Sequence, residues 1–236
     1  MKILIDFFEK NDIQYNDEML NKLDAYMNGI LQWNEHINLT AIKTPDDFVR
    51  KHFLDSLACI CLPEYKKAEL IGDMGTGAGF PGVPLAVLSP EKNFVLIDSL
   101  QKRLNVIKQL CEDIGIKNVT TVHGRAEDLG HMPQHREQYD LCLSRAVANL
   151  SVLSEFCLPL VRQGGYMIAY KGKDAQSELA QAQGAIKKLG GKTETIIPAP
   201  LDRAGDEHKL ILIKKTGSTG SKYPRKAGTP AKEPLK

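Results

Sequence analysis

The run Asp73-Met74-Gly75-Thr76-Gly77-Ala78-Gly79-Phe80 sets an acid ahead of three alternate glycines and closes on a bulky aromatic. Glycines let the main chain turn sharply and come close to a ligand, and a helix starting just after the loop offers N–H groups with no partner of their own. Asp98 follows about twenty residues later, where a carboxylate reaches ribose hydroxyls in nucleotide-binding α/β sheets. Gly124-Arg125-Ala126-Glu127-Asp128 then supplies an acid-bearing loop able to meet an adenine ring and its amine. One glycine pair alone reads as an ordinary turn. The acid, the glycine triplet, Asp98 and Glu127 together read as a nucleoside site.

Two cofactor classes share that device. Gly77 to Gly82 satisfies GxGxxG by count and, with Asp98, keeps a nicotinamide-dependent oxidoreductase in view. Asp73 weighs against it, because a carboxylate there repels a pyrophosphate and attracts the methionine ammonium of S-adenosylmethionine. Phe80-Pro81 is also an unusual dinucleotide turn. S-adenosylmethionine, leaving as S-adenosylhomocysteine, is the expected cofactor.

The elements that must hold these groups are legible in the hydrophobic pattern. Residues 17–33 carry Met19, Leu20, Leu23, Tyr26, Met27, Ile30 and Leu31 at helical spacing, and Thr44-Pro45-Asp46-Asp47 reads as a helix start leading from Phe48 to Cys61. From residue 69 short β-rich runs alternate with amphipathic helices. Strands are predicted at 69–74, 93–98, 118–123, 139–144, 166–170, 192–197 and 209–214, with the clearest helices at 101–114, 149–161 and 175–189. This is an α/β pattern with a mostly parallel seven-stranded sheet. No helix fits in 198–208, so the last strand is expected to pair antiparallel inside the sheet. The division is a helical cap at 1–62, an α/β core at 63–215 and a basic tail at 216–236.

Composition narrows the class. The chain has 236 residues and 42% hydrophobic content, enough for one buried core. Its longest apolar runs are far too short for a bilayer, and neither a secretory leader nor a membrane span is expected. Five scattered cysteines, without CxxC or matching histidines, suggest reduced core thiols of a cytoplasmic protein and no metal site. Net charge is +2, but residues 214–236 hold seven Lys/Arg against one acid. That asymmetry suits a phosphate-bearing partner, and Thr216 to Ser221 reads as a flexible spacer before it.

Asn38-Leu39-Thr40, His52 to Leu57, Asp73 to Pro84, Asp98 to Arg103, Arg125-Ala126-Glu127, Ser144-Arg145-Ala146-Val147-Ala148 and Tyr223 to Pro230 resemble the glucose-inhibited division protein B family over nearly the whole chain. That family comprises bacterial small-subunit rRNA methyltransferases. The resemblance implies a class I, Rossmann-like methyltransferase fold and transfer to N7 of a decoding-region guanine, position 527 in the family's usual 16S rRNA numbering. It also implies cofactor contacts at Gly75, Phe80, Asp98, Ser99, Leu100, Ala126, Glu127 and Arg145, beside Asp73, Gly77 and Gly79 from the loop itself. The expected partner is 16S rRNA, within the small subunit or its precursor, met by a monomer.

Guanine N7 has a lone pair and no proton to lose, so positioning is the main requirement and no base is needed. The chain accordingly has Ser144-Arg145-Ala146-Val147 where exocyclic-amine enzymes carry Asn/Asp-Pro-Pro-aromatic, and no cysteine placed as a pyrimidine nucleophile. Arg145 either orients the guanine or pairs with an acid such as Asp73 or Glu127. Candidate RNA contacts are Arg50, Lys51, His52, Lys102, Arg103 and Lys171, with Lys222, Tyr223, Arg225, Lys226 and Lys232 in the tail, where Tyr223 would stack on a base or sugar. His52 can equally hold the cap onto the sheet. An RNA-binding protein with a vestigial cofactor fold is the remaining alternative.

Overall fold

The computed structural model describes residues 1–200 and 208–236. Helices α1 (Lys2–Lys10), α2 (Asp17–Trp33), α3 (Pro45–Phe48) and α4 (Pro63–Lys67) precede the sheet. Asn16 caps α2 by accepting the Met19 N–H, and Thr44 caps α3 with Pro45 in the first turn. Instead of one helix from Phe48 to Cys61, the chain runs through a π turn at Val49–Leu54 and a 3-10 turn at Leu57–Cys59. The Ser56 hydroxyl donates to the His52 carbonyl at 2.6 Å, sharing an acceptor that also takes a backbone N–H at the end of the π turn.

Strands β1 (Leu70–Met74), β2 (Asn93–Asp98), β3 (Val119–His123), β4 (Tyr139–Arg145), β5 (Val161–Lys171), β6 (Gly191–Pro198) and β7 (Lys209–Lys215) form one sheet in the order β3-β2-β1-β4-β5-β7-β6. β7 lies between β5 and β6, antiparallel to both. Helices α5 (Gly82–Leu88), α6 (Gln101–Ile114), α7 (Ala126–Leu129), α8 (Leu150–Cys157) and α9 (Ala175–Lys188) connect the strands, and α10 (Thr229–Lys232) follows β7. β5 begins five residues earlier than its apolar run, because Arg162-Gln163-Gly164-Gly165 reads as a turn yet continues the strand. Of the connection expected at 198–208, residues 201–207 lie outside the described residues.

Alternate residues feed two cores. Leu141, Ile168, Leu210 and Leu212 join α1, α2, α5 and α6 on one face, and Cys142, Met167, Ile211 and Ile213 join α8 and α9 on the other. Both faces are covered, which is why the central strands are nearly continuous apolar runs. The first helices share the first core with the sheet.

The spacer and tail depart from expectation. Thr219 donates its hydroxyl to the Leu189 carbonyl at 2.7 Å and its N–H to Glu137, and the Arg136 guanidinium reaches the carbonyls of Gly130, Thr219, Gly220 and Tyr223. Lys215 is wholly buried, donating to Glu137 and to the Leu158 and Val161 carbonyls. Residues 216–225 are therefore fastened to the core by polar groups far upstream, not an extended arm.

Candidate active site

The glycine loop leaves the end of β1 under Asp73, which has no exposure at all. Its Oδ2 accepts the Thr76 hydroxyl at 2.7 Å and the Gly82 N–H at 2.9 Å, holding the loop to the start of α5. Its Oδ1 is buried with no partner among the described residues. Burial raises the carboxyl to about 6, against the pull of the Thr76 and Gly82 hydrogen bonds. Two glycines have different reasons for positive φ. At Gly79 (φ +87) a Cβ would run into the Tyr26 hydroxyl, which donates to the Ala78 carbonyl at 2.9 Å, so the cap helix α2 props the loop. At Gly77 (φ +62) a Cβ would meet nothing within 4 Å, because that side faces a cavity.

Asp98, at the end of β2, accepts the Gly77 N–H on Oδ2 at 3.0 Å and the Leu100 N–H on Oδ1 at 2.9 Å. It ties the glycine loop to the neighbouring strand, and Arg103 stands 3.8 Å away. Ser99 and Leu100 are exposed beside it, and His123 pairs with the Ser99 carbonyl. Ala126 and Glu127 open α7 and are buried; Glu127 Oε1 accepts the Gly228 N–H at 2.9 Å.

The cavity, about 550 Å³, opens at the carboxyl ends of β1 and β4 and is lined by Gly75, Thr76, Gly77, Phe80, Arg103 and Arg145, with Lys51, His52, Asp55, Lys171 and His208 among the others. Asp73, Gly79, Asp98, Ser99, Leu100, Ala126 and Glu127 are not in its lining; Asp73 and Asp98 hold the glycine loop through Thr76, Gly82 and Gly77. Arg145 is fixed on one side. Its Nη1 donates to Asp55 Oδ2 at 2.6 Å and to the Lys51 carbonyl at 2.9 Å, and its Nη2 lies 3.0 Å from His52 Nδ1. These bonds occupy three of a guanidinium's five N–H groups, and the other two have no partner among the described residues. The partner is Asp55, not the Asp73 or Glu127 considered from sequence.

Because an arginine only donates, His52 Nδ1 must accept, which leaves the proton on Nε2, 2.7 Å from the Thr40 hydroxyl. Burial, and then the Arg145 charge, lower this imidazole to about 3, so it stays neutral. It stacks on Phe80 with ring centroids 4.3 Å apart, and the Arg145 guanidinium lies 5.4 Å from the same ring. His52 thus joins the cap to the loop, the second of the two roles expected of it, while its ring also lines the cavity. Burial alone would raise Asp55, but hydrogen bonds from His208 and Arg145 hold it below the usual carboxylate range.

Several expected RNA contacts are corrected. Lys171 donates to the Ala148 carbonyl at 2.6 Å and pairs with Glu178 at 2.7 Å, so it braces the 146–149 loop against α9. Tyr223 is buried in the second core and cannot stack on a base. Arg225 forks onto Glu155, which is wholly buried, at 2.7–2.9 Å. Arg50, Lys102, Lys222, Lys226 and Lys232 are exposed, and Lys51 pairs loosely with Asp47 at 3.1 Å. Asp55, Tyr26 and His208 were not singled out as site residues, although Tyr26 was read as part of the apolar face of 17–33 and Asp55 lies in the run His52 to Leu57. Asp55 had a signal: it is an acid three residues after His52 in an otherwise apolar run.

A glycine loop after the first strand, an acid ending the second, and an antiparallel seventh strand inserted beside the fifth define the class I methyltransferase fold. Solved structures with this architecture include the O-methyltransferase TomG from Streptomyces achromogenes (TM-score 0.56, 16% identity, 89% of this chain and 95% of that one) and the Methanococcus jannaschii fibrillarin pre-rRNA processing protein (TM-score 0.53, 15% identity, 68% and 74%). Within that class, residues 19–203 match the family model of rRNA small subunit methyltransferase G, and the chain belongs to that family. Its relatives include ribosomal RNA small subunit methyltransferase G of Alkaliphilus oremlandii, 47% identical, and of Clostridium botulinum, 45% identical, each over 95% of this chain and 94% of the relative.

Proposed function

We propose that this chain transfers the methyl group of S-adenosylmethionine to N7 of a guanine in bacterial 16S rRNA, at the decoding-region position that the sequence resemblance implies. The residues fit the cofactor. Asp73 Oδ1 is a buried acceptor without a partner among the described residues, suited to a methionine ammonium. Gly77 keeps the cavity wall free of a side chain, and the Asp98 carboxylate has lone pairs left for ribose hydroxyls after taking two backbone N–H groups. When bound, the cofactor supplies an activated methyl on a sulfonium.

The observation that carries the acceptor assignment is the state of the groups around Arg145. His52 and Asp55 are spent on its guanidinium, and Glu178 is paired with Lys171. Among the described residues His208, held through Nδ1 by Asp55, is the remaining imidazole of the lining, so the arrangement favours positioning over proton removal, which matches a lone pair such as purine N7. The two remaining Arg145 N–H groups suit the O6 edge of a guanine. Arg50, Lys51, Lys102 and Arg103, with the exposed Lys222, Lys226 and Lys232, are the proposed phosphate contacts of a cytoplasmic monomer acting on the small subunit or its precursor.

The test is methyl transfer from labelled S-adenosylmethionine to small subunits from a strain lacking the gene, followed by mapping of the base. N7-methylguanine at one decoding-region position is the expected result. A methyl group on another atom or base would overturn the target while leaving the family membership intact.

A further inference from the structure

Glu127 divides its carboxylate. Oε1 accepts the Gly228 N–H, from a residue 101 positions later, whereas Oε2 has no hydrogen-bond partner among the described residues and is not sealed from solvent. The segment that delivers Gly228 is fastened at several points, nearly all on the loop that carries Glu127 or on α8 behind it. Arg225 grips Glu155 with its side chain and its own N–H. The Pro224 carbonyl lies 2.7 Å from His131 Nε2, and the Pro224 ring fills the space in front of Gly130, where a Cβ would come within 2.5 Å of it. Arg136 bridges the carbonyls of Gly130 and Tyr223, and Tyr223 shares an apolar cluster with Ala126 and Leu129.

We propose that this C-terminal segment is a positioning strap for the nucleoside end of the cofactor site, in which Gly228 holds one oxygen of Glu127 so that the other is presented to the adenosine of the cofactor. The proposal rests on the cofactor reading above. A free glutamate side chain has several rotatable bonds, and ordering it on binding opposes affinity. Here an N–H of the chain's own tail has already ordered it. The strap reverses the role expected of a basic tail: losing it weakens cofactor binding and not RNA binding alone.

Gly228 allows a selective test. Its φ is +84, and an added Cβ would meet nothing within 4 Å, so Gly228→Ala disturbs the backbone conformation without a clash. Asparagine tolerates that conformation and serves as the rescue. Calorimetric titration of the full chain with S-adenosylhomocysteine should give affinity weaker by on the order of tenfold in Gly228→Ala, the size of one hydrogen bond to a charged group, and largely restored in Gly228→Asn. Equal affinity in all three proteins would overturn the strap, because a purely structural segment would lower the melting point without moving affinity.

A second measurement needs no variant. On adding S-adenosylhomocysteine to the wild-type chain, amide exchange should slow at 225–230 together with 124–131; slowing at 124–131 alone would equally overturn the proposal. If the wild-type chain fails to bind S-adenosylhomocysteine, the cofactor reading itself falls and the strap falls with it. That result is seen before any variant is made.

Discussion

Replacing Asp73 with Asn should make the ligand-free protein less stable near pH 4 and more stable at pH 8. Asp73 is fully buried, one of its oxygens has no partner among the described residues, and its carboxyl is raised from 3.8 to about 6. A carboxyl that holds its proton more tightly folded than unfolded lowers stability as pH climbs from the unfolded value through the folded one, and the loss is complete above it. The rise from 3.8 to about 6 corresponds to roughly 3 kcal/mol at pH 8 and to little at pH 4 or below. Asn keeps an oxygen for Thr76 and Gly82 but turns a buried amide toward the vacant side, at about 1–2 kcal/mol at every pH. The net change is about −1 to −2 kcal/mol near pH 4 and about +1 to +2 kcal/mol at pH 8, or roughly 3–6 °C at the upper end for a chain of this size. Thermal melts of both proteins from pH 4 to pH 8 would show the curves crossing between pH 4 and 6. Affinity for S-adenosylhomocysteine at pH 8 should fall in the variant, which has lost the charge. Parallel curves, or a variant less stable throughout, would refute the assignment of strain to this carboxylate.

Arg145→Ala should lower turnover on small subunits by roughly 10²-fold at saturating RNA, the scale of a lost positioning contact; full turnover would exclude the orienting role. The same change leaves Asp55 buried beside His208 only and should destabilise by about 3 kcal/mol in urea unfolding. Gly79→Ala should lower the melting point by several degrees, since φ is +87 and the new methyl meets the Tyr26 hydroxyl; an unchanged melt would mean that α2 does not prop the loop. Lys222, Lys226 and Lys232 changed together to Ala should reduce the salt slope of RNA binding by about 2 while leaving cofactor affinity unchanged, measured by filter binding across a salt series.

Local features were readable because their causes are local. The Thr44-Pro45 helix start, the alternation of strands and helices, the glycine loop with Asp73 and Asp98, and the antiparallel final strand all follow from residues within a few positions of one another. What escaped was set at long range. The tail has the composition of a spacer and an arm, yet Glu137, Glu155 and Glu127, between 70 and 101 positions away, receive its N–H groups and its arginine. One clue was available: Glu155 sits within the apolar helix Leu150–Cys157, and a carboxylate there requires a cation from elsewhere. The place of Arg145 at the end of the fourth strand was legible, but the identity of its partner was not. Asp55 meets it only because the cap, broken into π and 3-10 turns, brings residues 51–55 over the end of β4.

The position of β7 also orders the making of the protein. β5 and β6 do not pair with each other; each pairs with β7, which is made after both. Until residues 209–215 are available, β5 presents one bare edge and β6 has no neighbour at all, a state open to mispairing with other nascent chains. A polypeptide cut short before Lys209 therefore lacks more than its final strand. It also leaves β6 with nothing to pair with, and such a truncation should yield an insoluble product and not a weakened enzyme.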